Sequence, residues 1–135
     1  MAGYSSTPLF KKLGFMPGMR VAVLQAPAGY KAMLSLPKGT DPEWEEAITP
    51  GVELVHFFGT RRSELAKAAQ ACRAKLSPSG CLWVSWPKKS SGVPTEITED
   101  VVREIVLPLG LVDIKVCAVD ETWSGLKCVI RKELR

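Results

Sequence analysis

The densest cluster of groups able to do chemistry is Trp86-Pro87-Lys88-Lys89-Ser90-Ser91-Gly92. Two ammonium groups and two hydroxyls beside a glycine can hold a phosphate or carboxylate through charge-assisted hydrogen bonds. Trp86, and Trp123 farther along, can stack on a planar ligand such as a base. No G-x-x-x-x-G precedes the lysines, so the segment is not a P-loop. The same residues also suit a solvated crossover loop whose serines cap turns, with both tryptophans packed in the core. Asp120 and Glu121 can serve as acid or base, or simply as turn residues. His56, inside the apolar run Val55-His56-Phe57-Phe58, reads as a buried, satisfied histidine rather than a catalytic base. Cys72, Cys81, Cys117 and Cys128 form no C-x-x-C pair, and there is one histidine. The usual zinc spacing is therefore absent, no metal site is expected, and the cysteines read as buried thiols.

The basic loop needs elements to position it, and the hydrophobic pattern supplies them. Arg20 to Ala26, Val52 to Phe58 and Cys81 to Ser85 read as buried strands. Gly29 to Leu36 reads as a short helix, and Leu65, Ala69, Cys72 and Leu76 mark an amphipathic one. Asp41 to Pro50 reads mainly as a connection, because Pro42 and Pro50 interrupt it. Thr98-Glu99-Asp100 opens another helix, with Thr98 as its cap and two acids at the positive end of its dipole. Val112 to Val119 and Leu126 to Lys132 alternate as an antiparallel pair, with Val112, Ile114, Val116 and Ala118 expected on one side. Strand–helix alternation predicts an α/β fold: a Rossmann-like, mostly parallel sheet with helices on both faces and a C-terminal antiparallel hairpin. The basic loop then falls at the carboxyl end of a strand, where ligands of open sheets bind.

At 135 residues, with 46% apolar and 24% charged residues, the chain fits a single domain spanning 1–135. No apolar run reaches the roughly 20 residues of a membrane span, and Met1 to Ser6 is polar, so a cytoplasmic location is expected. Leu9, Phe10 and Leu13 beside Lys11 and Lys12 read as a helical turn docked on the core rather than a membrane contact. The net charge of +4 leans toward anionic partners, although the basic residues are scattered in pairs. An exposed edge at the C-terminal hairpin can pair in a homodimer.

A helix ending in L-x-P-x-G at Leu76 to Gly80, the strand L-W-V-S from Leu82, a following helix, the strand opening Gly110-Leu111-Val112 and the final hairpin resemble the second half of class I S-adenosylmethionine-dependent methyltransferases. The run from Trp83 to Lys132, with W-P-K-K-S-S-G, T-E-D-V-V-R and D-E-T-W-S-G-L-K, is similar to a small bacterial family of unknown function. Members of that family look like shortened methyltransferase-like domains. The resemblance implies a glycine-rich loop after the first strand, where this chain has Ala26-Pro27-Ala28-Gly29-Tyr30. There Pro27 removes an N–H, Ala28 adds a methyl group, and Gly29 is left as a cofactor contact. It also implies an acidic residue ending a second strand, for which Asp41, Glu43 and Glu53 are the nominees. About two strand–helix units of the full fold are expected to be missing.

These readings favour a non-catalytic or regulatory module that binds an anionic, phosphate- or nucleotide-like ligand through Trp86, Lys88, Lys89, Ser90, Ser91 and Trp123, with no resident cofactor. The alternative is an S-adenosylmethionine-dependent methyltransferase with an atypical cofactor loop. A nucleic-acid-binding protein is the third reading.

Overall fold

A computed structural model describes residues 7–135. Among them a six-stranded sheet runs in the order β2-β1-β3-β4-β6-β5. The strands are β1 (Arg20–Leu24), β2 (Glu43–Glu45), β3 (Val52–Phe58), β4 (Leu76–Pro87), β5 (Leu111–Ala118) and β6 (Trp123–Ile130). The pairs β1–β2, β1–β3 and β3–β4 are parallel, whereas β6 runs antiparallel to both β4 and β5.

Helices cover both faces. On one, α3 (Arg62–Lys75) and α4 (Glu99–Val106) pack on Val55, Phe57, Leu82, Val84 and Trp86. On the other, α1 (Leu9–Leu13) and α2 (Tyr30–Leu34) pack on Leu54, Phe58, Cys81 and Trp83. Nearly every side chain of β3 and of β4 from Cys81 onward is buried, as a strand covered on both faces requires. The Trp83 indole N–H donates to the carbonyl of Leu13 at 2.8 Å, which fastens α1 to the sheet. α4 begins as expected: the Thr98 hydroxyl accepts from the Val101 N–H, with Glu99 and Asp100 in the first turn.

Two expectations are corrected. The acidic segment read as a connection contains β2, an edge strand of three residues. Its side chains alone would not identify it; Arg20 holds it in place. The Arg20 guanidinium donates to Glu45 at 2.6 Å, to Thr49 Oγ1 at 2.7 Å and to the Pro50 carbonyl at 2.9 Å. The second correction concerns β5. Asp113 pairs with Cys128 but Lys115 pairs with Lys127, so Ile114 is an extra residue in a bulge. The alternation inverts there: Leu111 and Cys117 are buried, while Ile114, Val116 and Ala118 are exposed.

Candidate functional site

In an open sheet the ligand crevice lies at the carboxyl ends of the strands where the connections change face. The connection after β1 runs through α2 on one face, and that after β3 runs through α3 on the other. The switch point is therefore between β1 and β3. At its mouth stands Gln25 with φ +57°, in the left-handed region that non-glycine side chains seldom occupy. Its side-chain amide holds it there, donating to the Phe58 carbonyl at 2.8 Å and toward Glu64 at 3.4 Å. Gly59 faces it across the crevice. A Cβ at Gly59 would come within 2.5 Å of the Phe57 ring and 3.3 Å of the Gln25 amide.

Beside Gln25 opens a cleft of about 390 Å³. Leu24, Ile48, Phe57, Ala68 and Ala71 give it apolar walls, and Glu46, Glu64 and Lys67 stand at its rim. Glu46 follows the last residue of β2 and makes no ion pair with any described residue. Its neighbour Glu45 is committed elsewhere, to Arg20 and Thr49, and the hydrogen bond from Arg20 draws its carboxyl below the usual carboxylate range. Of the three nominees for an acidic residue ending the second strand, Asp41 precedes β2, Glu43 begins it, and Glu53 accepts from the Arg20 N–H at 3.0 Å. None of them lines this cleft; Glu46 does. The loop Ala26 to Gly29 leads on to a second cleft, of about 420 Å³, lined by Gly29, Tyr30, Lys31 and Trp44. Gly29 adopts φ +78° as α2 begins, with open space around its Cα.

The basic loop lies at the same edge of the sheet, two strands from the switch point. Lys89 to Ser91 form one 3-10 turn, closed by Gly92 at φ +75°. The Ser91 hydroxyl donates to the Lys88 carbonyl and accepts from the Val93 N–H, so it caps the turn. Ser90 and Lys89 are exposed. Lys89 and Trp86 line a cleft of about 440 Å³ against the entry to α4. Trp86 and Trp123 do not face one another. Trp123 pairs with Pro87 and belongs to the α1–α2 face, whereas Trp86 belongs to the α3–α4 face. They bound different surfaces and cannot be two walls of one site.

Behind the crevice is a chain of polar groups. Tyr30 Oη lies 2.7 Å from His56 Nδ1, and His56 Nε2 lies 2.7 Å from Ser85 Oγ. His56 and Ser85 are wholly buried. Burial lowers the His56 pKa to about 3, so the ring is neutral, with one donor and one acceptor nitrogen. Burial also raises the Tyr30 phenol. This histidine is structural: it joins the first residue of α2 to β3 and β4. The cysteines are free, and burial pushes Cys72 and Cys128 up to about 12 and Cys81 to about 11. Nothing among the described residues assembles a metal site, and no described helix is long and apolar enough to cross a membrane.

The sequence matches no family model and no curated protein. Its fold matches solved structures. A possible exported protein from Bordetella parapertussis aligns over 91% of this chain and 66% of its own, at 12% identity and TM-score 0.63. A SAM-dependent methyltransferase from Aquifex aeolicus aligns over 89% of this chain and 86% of its own, at 16% identity and TM-score 0.64. Aeropyrum pernix fibrillarin, solved with natively bound S-adenosyl-L-methionine, aligns over 94% and 70%, at 15% identity and TM-score 0.54. The chain thus spans just under two thirds of the first. At these identities the likeness is one of fold: a methyltransferase-like, Rossmann-like sheet, as the motifs from Leu76 to Lys132 imply.

Proposed function

We propose that this chain binds the nucleoside part of S-adenosylmethionine in the cleft at the carboxyl ends of β1, β2 and β3, as a small methyltransferase. One observation carries the reading: an apolar cleft at the switch point with an unpaired carboxylate, Glu46, directly after β2. The side chains present suit a nucleoside. Leu24, Ile48 and Phe57 offer an apolar wall to a planar base, and Glu46 and Glu64 are acceptors for a ribose diol. The loop suits the amino-acid end less well, since Pro27 has no N–H to donate and Gln25 stands at the crevice mouth with a full side chain. Gly29 is the position in that loop where a ligand approaches backbone unhindered.

The bound cofactor would supply the electrophilic methyl group, and the protein's part is to hold it and an acceptor in line. The Tyr30–His56–Ser85 chain fixes the start of α2, and with it the loop that borders the cofactor.

Calorimetric titration with S-adenosylmethionine, S-adenosylhomocysteine and adenosine tests this. All three should bind, and Glu46→Ala should weaken each by about 10- to 100-fold, the worth of a hydrogen bond to a charged group. Wild-type protein that binds none of them, or an equal affinity in Glu46→Ala, would overturn the assignment.

A further inference from the structure

The bulge in β5 changes where one charge points. In a regular strand Asp113 and Lys115 would share a face, and Asp113 is ion-paired to Arg103 at 3.0 Å on the α4 side. With Ile114 as the extra residue, Lys115 turns to the opposite face and stands directly across from Lys127 of β6. Like charges directly opposed destabilise an antiparallel pair, so the arrangement works against the sheet itself. Bulges commonly re-aim a side chain in this way next to functional surfaces.

Three further lysines gather around this pair. Lys11 and Lys12 from α1, with Lys115, line a crevice of about 380 Å³ at the sheet edge. The Lys127 ammonium lies close to Gly14, just beyond α1. Lys12, Lys115 and Lys88 all act on the Cys117 thiol, opposing the burial that raises it. None of these lysines makes an ion pair with a described residue. The carboxylates Glu99, Asp100, Glu104 and Asp113 are engaged with Arg62 and Arg103 on the α4 side, while Asp120 is held in the β5–β6 turn by the Thr122 and Trp123 N–H groups. The result is a mainly basic surface drawn from α1, β5, β6 and the loop after β4, with Asp120 and the exposed Glu121 of the β5–β6 turn at its Lys88 end. Trp123 is half-buried on the same face.

We propose that this face docks a single-stranded nucleic acid, the lysines following its phosphates along the crevice between α1 and the β5 edge. A row of cations beside an aromatic side chain is the usual platform for a single strand. An anionic membrane is the less suitable partner, because Leu9 and Leu13 are buried in the core and α1 presents lysines without an apolar insertion face.

Fluorescence anisotropy with a labelled 20-nucleotide oligouridylate tests the proposal, alongside sedimentation with vesicles containing phosphatidylserine. Wild-type protein should bind the oligonucleotide at 50 mM salt. The slope of log affinity against log salt should be about −3, as four to five neutralised phosphates predict for a single strand. Lys12→Glu/Lys115→Glu should lose at least tenfold. Lys38→Glu/Lys132→Glu, which changes the net charge equally at other places, should stay within twofold. Thermal melts of both variants establish that they fold, and Lys115→Ala/Lys127→Ala provides a milder second pair with the same expected direction. Equal losses in both charge-reversed pairs, no oligonucleotide binding, or binding to vesicles alone would overturn the proposal. The readout is independent of S-adenosylmethionine, so it stands or falls apart from the nucleoside cleft.

Discussion

His56 is the residue whose chemistry is most altered by its surroundings. An imidazole with no solvent access stays neutral and needs a partner at each nitrogen; Tyr30 and Ser85 provide them at 2.7 Å each. Ser85→Ala should cost about 1–3 kcal/mol in urea unfolding at pH 7, because one ring nitrogen is left buried without a partner. The pH dependence follows from the lowered pKa. Between about 6.5 and about 3 the unfolded chain takes up a proton that the folded chain refuses. Stability therefore falls as pH falls through that window, by up to about 1.4 kcal/mol per pH unit from this group, and gains nothing from it above pH 6.5. Urea melts of wild type and His56→Gln at pH 7, 6 and 5 should show the steeper decline in wild type. Parallel declines would mean that the ring is not held neutral. The sequence supports part of this: a histidine within Val55–Phe58 reads as buried. Its partners, 26 and 29 residues away, become evident only when the strands are aligned.

Among the elements, those with strong local signals were legible and those defined by their neighbours were not. β3 spans Val52–Phe58 as its apolar run predicts, and α4 starts at its cap. Thr98→Ala should cost about 1 kcal/mol and lower the melting temperature by roughly 4 °C, measurable by calorimetry. β2 has three residues, one face half-covered, and a proline on either side, so pairing with β1 and the Arg20 contacts define it rather than its own pattern. The bulge at Ile114 is equally silent in sequence. The alternation Val112, Ile114, Val116 is real, but one extra residue places its second half on the uncovered side. The site was legible in the same uneven way. That ligands sit at the strand carboxyl ends follows from the strand–helix order. Which end is the switch point requires the sheet order, so Gln25, Glu46 and Glu64 of the proposed cleft carry no signal in the sequence, whereas the Lys88–Ser91 loop is conspicuous there.

For the whole molecule, two cores share one sheet. Leu54, Phe58 and Trp83 face α1 and α2, while Val55, Phe57 and Val84, their neighbours along β3 and β4, face α3 and α4. Losing either layer exposes the back of the other, so the chain should unfold as one cooperative unit. In Trp86→Phe protein the remaining tryptophans, Trp44, Trp83 and Trp123, all belong to the α1–α2 layer, and their fluorescence should share its midpoint with far-UV circular dichroism. Separated midpoints would show that one layer can melt alone.

The strand order also bears on the birth of the protein. β6 emerges last of the strands yet lies inside the sheet, between β4 and β5. During synthesis β1 to β4 can pair as they appear, but β5 has no place to dock until β6 follows it. Until Ile130 clears the ribosomal exit tunnel, β4 carries an open edge along the apolar run Leu82 to Trp86, the kind of surface that chaperones engage and that drives aggregation.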